Sequence, residues 1–367
     1  MKKIILLKSG ISHRGGLEKW GRLLLSSFAK KGCEVTLLTT GPSSEIPEGV
    51  KIYSHSPCLP LSVLRVLSFD RFCTSFLRQN SADIVLGLDR NSFQTHLRAG
   101  NGVHRVYLER RIELEKGLSF LRHRVNPLHR TLLALEKRAF EHQGLVRLFT
   151  NSKMVEKEIL THYRVDPQKI SVIHNGVEWH QITPFFAEGL ETRKQDRFAL
   201  LFVGQGFRRK GLERLLKGLR LVEKDLFHLS VVGKDKEMET FKELSKKWQL
   251  PVTFYGQQKE MRPFYQRADA LVIPSYYDPF ANVTVEALAY GLFVVSSRHN
   301  GGCEVLTKET GAVIEELNDD ASVAEALQKA LKVPKTLASA SAIRATVQHL
   351  DLSIQLERFM ELCLVDK

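Results

Sequence analysis

The chain has 367 residues, a formal net charge of +13 and a hydrophobic content of 43%. This length predicts two domains, each with its own core, and no apolar run approaches the roughly 18 residues that a membrane-spanning helix needs. The five cysteines are scattered and form no Cys-x-x-Cys pair, which predicts reduced thiols in a cytoplasmic protein and argues against a zinc site.

The positive charge is concentrated in the first half of the chain. Residues 1–190 contain 28 Lys and Arg against 17 Asp and Glu, whereas residues 191–367 contain 26 against 24. A basic surface on one domain attracts anionic partners. The candidates are an anionic lipid surface, a nucleic acid and a phosphorylated acceptor.

Short apolar strands alternate with helices along the chain, which is typical of parallel sheets covered on both faces. In the first half, the pattern predicts strands at residues 3–8, 34–40, 84–88, 145–151 and 170–174, with a helix at 17–31. In the second half, it predicts strands at residues 198–203, 227–232, 252–255, 270–273, 293–296 and 312–314. The helices between these later strands are predicted at residues 210–223, 237–248, 283–290 and 321–331.

Two such series in tandem predict an α/β protein with two doubly wound domains that face each other across a cleft. A polar stretch near residues 188–196 separates the series, so we place one domain at residues 1–190 and the other at residues 191–350. A last apolar-spaced helix, at residues 352–364, must pack against another element, but its periodicity does not indicate which one.

Two glycines, Gly15 and Gly16, stand between the first predicted strand and the first predicted helix. Glycines at that place let a ligand approach the backbone near a helix N-terminus. Their spacing differs from Gly-x-Gly-x-x-Gly, and a simple tight turn would need the same residues. Alone, the pair is a weak indication of binding.

A cationic turn follows the first strand of the second series, at residues 204–211 (GQGFRRKG). The turn begins like a dinucleotide-binding fingerprint, but Arg209 occupies the third glycine position, which disfavours a nicotinamide cofactor. Arg208, Arg209 and Lys210 suit phosphate oxygens. The alternative is a solvated basic helix start, which is strained because cations oppose the helix dipole there. We therefore favour a bound phosphate.

Two carboxylates, Asp278 and Glu286, lie on either side of the start of the helix predicted at residues 283–290. The backbone N–H groups of residues 280–284 lack intrahelical acceptors and, with the helix dipole, suit the oxygens of a phosphate or a sugar. Singly, Asp278 also fits a turn residue before proline, and Glu286 also fits an acid that complements the dipole. Together they predict a binding site for a nucleotide sugar.

A loop at residues 98–104 (RAGNGVH) follows a strand in the first half. Asn101 and His104 are candidates to face a cleft from this loop. Taken alone, His104 is more often a surface or structural histidine. The thirteen histidines show no metal-ligand spacing, so we expect no metal site.

The basic surface includes residues 104–147, which contain ten Lys and Arg and five Asp and Glu among apolar residues. Residues 61–77 are similar, with Arg65 and Arg71 near leucines and Arg78 directly after the stretch. Such stretches can lie on anionic membrane surfaces. They also fit an ordinary helix with a core stripe and a solvated face, and the sequence leaves both interpretations open.

In combination, these motifs resemble glycosyltransferase family 4, whose members are retaining enzymes of the GT-B fold with two Rossmann-like domains. The basic stretch is similar to the acceptor loop and membrane-contacting region of its lipopolysaccharide core glucosyltransferase I group. The matching motifs keep the family's order and spacing across nearly the whole chain. In chain order they are Gly15-Gly16, His174-Asn175-Gly176-Val177, Gly204 through Arg209-Lys210-Gly211, Val232-Gly233, Asp278-x7-Glu286 and Gly301-Gly302-Cys303-Glu304-Val305.

The resemblance implies roles in donor binding. Arg209 and Lys210 would neutralise the diphosphate, and Asp278 would bind hydroxyls of the transferred sugar. Glu286 would bind the ribose hydroxyls. Backbone N–H groups would assist at residues Gly15, Gly16, Phe280, Ala281, Asn282 and Val283.

The resemblance also implies an acceptor pocket bordered by Glu18, Asn101 and His104. The residues that it implies to be catalytic are Asp278, His104 and Lys210. The family usually has a Glu where this chain has Asp278, which is one methylene shorter, and its members often have an Asp where Asn101 stands. The first departure bears on sugar identity and the second on acceptor choice. The segment 351–367 would pack back on the first domain.

The resulting expectation is a glycosyltransferase that moves a hexose, most simply glucose from UDP-glucose, to a lipid-linked or phosphorylated saccharide such as the lipopolysaccharide core. It would need no metal or cofactor, bind no nucleic acid, and sit peripherally on the inner face of the cytoplasmic membrane. The alternatives are a sugar-nucleotide epimerase, a Rossmann oxidoreductase and a non-enzymatic, basic nucleic-acid-binding protein.

Overall fold

The structure, a computed structural model, describes residues 1–10, 16–41, 46–114, 125–188, 190 and 196–365, with the backbone alone for residues 16–19. The chain divides into two compact units, one formed by Met1–His174 with Leu356–Lys367 and the other by Asn175–Gln355. Within the described residues, no helix combines the length and the hydropathy that crossing a membrane requires.

In the first unit, seven parallel strands of the described chain form one sheet in the order β3-β2-β1-β4-β5-β6-β7. The centre is apolar: β1 pairs with β2 and β4, and Leu6 lies opposite Leu37 and Leu86, all three fully buried. The strands are β1 (Lys3–Leu7), β2 (Glu34–Thr39), β3 (Val50–Ser54), β4 (Ile84–Gly87), β5 (His96–Arg98), β6 (Arg147–Thr150) and β7 (Ile170–Val172).

Helices connect these strands. They are α1 (Gly16–Lys30), α2 (Ser62–Gln79), α3 (His104–Leu114), α4 (Pro127–Phe140) and α5 (Lys153–His162), and a 3₁₀ turn spans Pro167–Lys169. The side chain of Asn126 caps α4 and that of Ser152 caps α5, each by accepting a backbone N–H of the first turn.

In the second unit, six parallel strands of the described chain follow the order β10-β9-β8-β11-β12-β13. They are β8 (Phe198–Val203), β9 (Phe227–Val232), β10 (Val252–Gly256), β11 (Ala270–Ile273), β12 (Phe293–Ser297) and β13 (Gly311–Ile314). Each residue of β11 and β12 is buried, as expected for central strands of a sheet with helices on both faces.

The helices of this unit are α6 (Trp179–Ile182), α7 (Leu212–Leu219), α8 (Met238–Lys247), α9 (Arg262–Arg267), α10 (Asn282–Ala289), α11 (Asp320–Leu331) and α12 (Leu337–Ala345). Short 3₁₀ turns lie at Thr183–Phe185, Lys224–Leu226, Gly301–Val305 and Gln348–Leu350. Two doubly wound parallel sheets are therefore present, which confirms the predicted fold class.

The first unit ends at His174, whereas the sequence predicts the domain boundary at residue 190. The difference arises because the segment after His174 packs within the second unit. Val177 forms a bridge with Asp351. Arg344 donates to Thr183 Oγ1 at 2.7 Å, and its guanidinium lies 4.0 Å from the ring centroid of Trp179.

The last helix is α13 (Leu352–Leu364). The fully buried ring of Phe359 packs against Trp20 at a centroid distance of 4.6 Å and against Phe149 at 4.1 Å. The carbonyl of Leu364 accepts a hydrogen bond from Lys2 Nζ at 2.5 Å. These contacts place the chain from Leu356 onward in the first unit.

Candidate functional site

In the second unit, two loops meet where the strand order reverses. The central strands β8 and β11 are neighbours, and the chain leaves β8 toward β9 on the other side. Ligands of doubly wound sheets bind at the carboxyl ends of strands at such a switch point. The loop after β8 carries Arg209 and Lys210, and the loop after β11 carries Asp278.

A buried ion pair joins these loops. Nζ of Lys210 contacts Oδ2 of Asp278, and the two residues are 9% and 8% exposed. Nη1 of Arg209 lies 3.6 Å from the same carboxylate oxygen and donates to the carbonyl of Tyr277 at 3.1 Å. Two cations therefore converge on one carboxylate, leaving a local excess of positive charge.

The third cation of the turn is directed elsewhere. Arg208 donates through Nε to both carboxylate oxygens of Glu237 at 2.8 Å, and its Nη1 lies 3.8 Å from Glu213. The predicted cationic corner therefore contains Arg209 and Lys210, while Arg208 forms a surface ion pair.

The charge state of Asp278 follows from its neighbours. Burial would raise the pKa of this carboxyl, but the charges of Lys210 and Arg209 outweigh burial and lower it. Hydrogen bonds from Lys210 and from the backbone N–H of Phe280, at 3.2 Å, act in the same direction. Asp278 is therefore ionised near neutral pH and able to accept hydrogen bonds from hydroxyl groups.

The predicted backbone donors at the start of α10 fall into two groups. The N–H of Phe280 donates to Asp278, and that of Ala281 donates to Oδ1 of Asn300 at 3.0 Å, so both support the loop itself. The N–H of Thr284, also predicted to be unpaired, donates to the carbonyl of Ala281 at 2.9 Å, so the prediction was wrong for this residue. The N–H groups of Asn282 and Val283 belong to the first turn, where a helix supplies no acceptor. Ala281, at the N-cap position, has no side chain that can accept them.

Asn300 holds the Asp278 loop in place. It is fully buried, and its Oδ1 accepts from the N–H groups of Ala281 and Gly302, each at 3.0 Å. Its Nδ2 donates to Ser296 Oγ at 2.9 Å, and the backbone around it forms a bridge with Asp278. The amide thus connects the end of β12 to the start of α10.

The second carboxylate, Glu286, lies one turn into α10 and is partly buried. Its Oε2 accepts a hydrogen bond from the hydroxyl of Tyr265 at 2.6 Å. Near the helix start, Asn282 Oδ1 accepts from Asn175 Nδ2 at 2.6 Å. The family-like motif at residues 174–177 thereby supports the same helix.

The cationic turn depends on a glycine in the left-handed region. Gly211 has φ +78° and forms the N-cap of α7, so the helix begins after Lys210 and not at residue 210 as predicted. A Cβ at Gly211 would lie 1.8 Å from the carbonyl oxygen of Pro274, at the end of β11. This close approach brings the turn against the strand that leads to Asp278.

In the first unit, a buried carboxylate holds the N-terminus of α3. Oε2 of Glu136, which is fully buried, accepts from the backbone N–H of His104 at 2.6 Å and from Nε of Arg90 at 2.7 Å. Oε1 accepts from the N–H of Arg105 at 3.2 Å and from the Tyr163 hydroxyl at 2.6 Å. These four donors compensate the burial of a charge.

The imidazole of His104 is buried beside a second histidine. Its Nε2 lies 3.1 Å from Nδ1 of His129, and its ring stacks on Tyr107 at 5.8 Å. Burial, together with the charge of Arg90, lowers the pKa of His104 to about 4. Near pH 7 the ring is therefore neutral and acts through hydrogen bonds alone.

This lowered pKa, shared by His96, predicts an acid-sensitive first unit. Between about pH 6.5 and 4 the unfolded chain binds more protons than the folded chain, so stability is complete above this window and falls as the pH decreases through it. We expect a loss on the order of 3 kcal/mol per histidine. Chemical denaturation across this range should show a shallower pH dependence for His104→Gln. The same change at His180, whose side chain is 90% exposed, should leave the slope unaltered; equal slopes in all proteins would contradict the assignment.

The other site residues predicted in the first half of the chain are two acceptor residues, Asn101 and Glu18, and two donor-binding glycines, Gly15 and Gly16. Asn101 is exposed and lines a small pocket with Arg90 and Arg98. Gly16 is the first residue of α1, and Glu18 lies on the same helix with its side chain outside the described residues. Gly15 also lies outside them.

Two family models match the chain, one in each half. The model for glycosyltransferase family 4 matches residues 14–180, and the model for glycosyl transferases group 1 matches residues 189–344. The chain belongs to glycosyltransferase family 4. This membership decides for a glycosyltransferase over the epimerase, oxidoreductase and nucleic-acid-binding alternatives.

Individual proteins resemble this glycosyltransferase over most of its length. It is 24% identical over 330 residues to the lipopolysaccharide glucosyltransferase WaaG of Escherichia coli K12, covering 86% of each chain. A crystal structure of WaaG superposes with a TM-score of 0.81 at 22% identity and covers 99% of this chain and all of the other. HepE from Anabaena, solved in complex with UDP-glucose, gives a TM-score of 0.66 at 15% identity, with 99% of both chains covered. These structural matches confirm the GT-B fold.

Several residues that shape the site of this glycosyltransferase were not predicted. Asn300 directly precedes a recognised Gly-Gly motif, and an Asn-Gly pair is a turn signal that could have drawn attention to it. Tyr265, Glu136 and His129 have no local signal, because their contacts join different elements. In the part of the chain that the structure describes, no group of three or more His, Cys, Asp or Glu side chains is arranged to hold a metal ion.

Proposed function

We propose that this glycosyltransferase transfers glucose from UDP-glucose, with retention of configuration, to a lipid-linked or phosphorylated saccharide such as the lipopolysaccharide core. The identity of the donor and the acceptor is supported by the similarity to a lipopolysaccharide glucosyltransferase and to a protein solved with UDP-glucose. The residue-level support lies in the second unit.

The observation that carries the proposal is the convergence of Lys210 and Arg209 on the carboxylate of Asp278, in the loops around the start of α10. A diphosphate brings the negative charge that balances the second cation. The Lys210 ammonium has three N–H donors, so it can keep its contact with Asp278 while it donates to phosphate oxygens. The N–H groups of Asn282 and Val283 add donors of the kind that bind phosphate.

The chemistry follows from this charge distribution. As the bond between the anomeric carbon and the diphosphate oxygen breaks, the leaving diphosphate takes the electron pair. Fixed positive charge from Arg209 and Lys210 stabilises that developing charge and does so without a metal ion. The acceptor hydroxyl attacks the anomeric carbon from the face that the diphosphate leaves, and its proton passes to a diphosphate oxygen.

Two carboxylates orient the donor in this proposal. Asp278 accepts hydrogen bonds from hydroxyls of the transferred sugar, and its side chain, shorter than the Glu usual in the family, remains held by Lys210. Glu286 accepts from the ribose hydroxyls. Gly15 and Gly16 supply backbone N–H groups to the donor. On the acceptor side, neutral His104 hydrogen-bonds the acceptor, with Asn101 and Glu18 at the border of its pocket.

A hydrolysis screen tests the donor without knowledge of the acceptor. The purified protein is incubated with UDP-, ADP- and GDP-sugars, and the released nucleotide is quantified. We expect slow release from UDP-glucose above the other donors, at the same rate with and without EDTA. A preference for an adenine or guanine nucleotide would overturn the donor assignment, and a loss of turnover in EDTA would overturn metal independence.

We further propose that the first unit docks peripherally on the inner, anionic face of the cytoplasmic membrane. The described face of α2 supports this location. Leu61, Leu64 and Leu67 are 58%, 40% and 44% exposed, and Arg65 and Arg71 are exposed beside them. An exposed apolar and basic helix face fits the headgroup region of an anionic bilayer.

The acid of α2 and the exposed arginines of that helix have different partners. The one acid of α2, Asp70, accepts from the backbone N–H and the hydroxyl of Ser92. On α3, by contrast, Arg110 pairs with Glu113 at 2.9 Å. Residues 115–124 of the basic stretch predicted at residues 104–147 lie outside the described residues, so α2 is the described element that carries the proposal.

Liposome pelleting checks the membrane proposal. Binding should require anionic lipid and weaken several-fold between 0.05 and 0.5 M salt, since exposed charges are screened within about 10 Å at 0.1 M. The variant Leu64→Ser/Leu67→Ser should lose most of its binding. Leu221→Ser, which changes a leucine that is 56% exposed in the second unit, is the matched control. Equal pelleting with neutral lipid, or no effect of the double variant, would contradict docking through α2.

A further inference from the structure

Tyr265 of α9 contacts the carboxylate that we propose to bind the ribose, that of Glu286. Its hydroxyl donates to Oε2 of Glu286 at 2.6 Å, and its side chain is 2% exposed. The two residues are 21 positions apart and lie on different helices. A short hydrogen bond from a neutral donor to a carboxylate is among the stronger ones in proteins.

The surroundings hold Tyr265 in one orientation. Its ring stacks on Tyr290 with centroids 5.2 Å apart and an interplanar angle of 11°. Its carbonyl accepts from Nζ of Lys335 at 3.0 Å. Burial and the neighbouring charge of Glu286 raise the pKa of Tyr265 well above its ordinary value, so the hydroxyl keeps its proton throughout the neutral range.

We propose that Tyr265 is a positioning residue that orients the Glu286 carboxylate toward the ribose hydroxyls of the donor nucleotide. The proposal rests on the proposed function, because it requires a nucleotide sugar at this site. A glutamate has three side-chain torsions and loses rotamer freedom when a ligand fixes it. A buried tyrosine that already holds one carboxylate oxygen lowers that cost, so the ribose meets an oriented acceptor.

The contact with Glu286 also explains why the buried side chain of Tyr265 can carry a hydroxyl group. A buried phenol needs a partner for its O–H, and Glu286 supplies it. A purely structural tyrosine would use the same bond to stabilise the fold and would have no influence on which nucleotide binds. The two roles therefore differ in one measurable property, the dependence of the effect on the ribose hydroxyls.

The test compares two ligands that differ only in these hydroxyls. Binding of UDP and of 2′,3′-dideoxy-UDP is measured by calorimetry for the wild-type protein and for Tyr265→Phe. We expect the substitution to weaken UDP about tenfold, the typical scale of one hydrogen bond to a charged group. For the dideoxy ligand, which offers Glu286 no hydroxyl, we expect a change of less than about twofold.

Two further variants distinguish a positioning role of Tyr265 from a purely structural one. Tyr290→Phe removes the hydroxyl of the stacked neighbour and should leave both affinities unchanged. Glu286→Gln should weaken UDP, and adding Tyr265→Phe to it should cost little more, because the two residues act through one contact. Thermal unfolding of each variant reports whether the fold persists.

The outcomes distinguish this inference from the proposed function. If wild-type protein binds neither UDP nor any UDP-sugar, the proposed function fails and the inference fails with it. If wild-type protein binds UDP but Tyr265→Phe weakens UDP and dideoxy-UDP equally, or weakens neither, the donor site stands and the positioning role is overturned.

Discussion

Replacing Lys210 with Ala is expected to lower the transfer rate by about 100- to 1,000-fold, the scale for loss of one donor to a developing negative charge. The ammonium is buried, contacts Asp278, and lies where the leaving diphosphate is proposed to sit. Steady-state release of UDP from UDP-glucose measures the effect. A turnover within tenfold of the wild-type value would remove Lys210 from the mechanism.

The same substitution also has a structural cost, which the experiment must separate from catalysis. Without Lys210, the buried carboxylate of Asp278 loses its nearest cation, which costs about 3 kcal/mol of stability. The double variant Lys210→Ala/Asp278→Asn also removes the charge of the buried carboxylate. It should recover much of the thermal stability, although its turnover stays low because Asp278 is also proposed to bind the sugar. Recovery of turnover would show that the loss came from the fold.

Arg208→Ala is the matched control for charge at this turn. Arg208 is two positions away, but both oxygens of Glu237 lie 2.8 Å from its Nε, and its side chain is 49% exposed. Exposed ion pairs contribute about 0–1 kcal/mol, so the variant should be nearly as stable and as active as wild type. An effect equal to that of Lys210→Ala would mean that overall charge, and not the buried position, determines activity.

The second large effect is expected for Gly211→Ala. Its backbone is left-handed, which costs about 1–2 kcal/mol for a residue with a Cβ. The added carbon would also lie 1.8 Å from the carbonyl oxygen of Pro274, and overpacking adds about 1–3 kcal/mol. The melting temperature of the second unit should fall by roughly 10 °C, since 1 kcal/mol corresponds to about 2–4 °C in a domain of this size.

Gly206→Ala provides the comparison within the same turn. Gly206 has φ +71°, but a Cβ there would find its nearest heavy atom, Nε of Arg209, at 3.9 Å. The Gly206→Ala variant should lose only the stability that a left-handed backbone costs a residue with a Cβ, about 1–2 kcal/mol. Differential scanning calorimetry of both variants compares their melting temperatures. If Gly206→Ala is destabilised as much as Gly211→Ala, the close approach to Pro274 is not what requires glycine.

The sequence predicted the central strands well because their signal is local. The strand at residues 198–203 is an apolar run that ends at a glycine, and β8 has the same bounds. Two strands were missed because they lack such a run. The edge strand β3 is mostly exposed, and β5 has three residues, His96–Arg98, two of them polar. Their pairing comes from the neighbouring strands and not from their own residues.

The candidate site was predicted in its charged residues and missed in its supports. Lys210 stood out because a cation opposes the helix dipole at a helix start, and Asp278 stood out because it forms a pair with Glu286 around the start of another helix. The structure brings Lys210 and Asp278 together. Their contacts with partners could not be predicted. Asn300 and Tyr265 reach the site from other elements, and side-chain hydrogen bonds across a fold depend on packing, which has no local pattern.

The same limit applies to the prediction that the N–H groups of residues 280–284 are unpaired and face a ligand. That prediction rests on the rule that the first turn of a helix has unpaired donors. The structure shows that Phe280 and Ala281 donate to Asp278 and Asn300, so they belong to the loop that precedes the helix. The start of α10 at Asn282 explains the difference.

The central claim is that the diphosphate of a sugar nucleotide binds between the Lys210 turn and the N-terminus of α10. Calorimetric titration of the wild-type protein and of Lys210→Ala with UDP and with uridine tests it most directly. The account predicts that UDP binds the wild-type protein far more tightly than uridine and that Lys210→Ala removes most of this difference. Equal affinities for UDP and uridine, or an unchanged difference in Lys210→Ala, would contradict it.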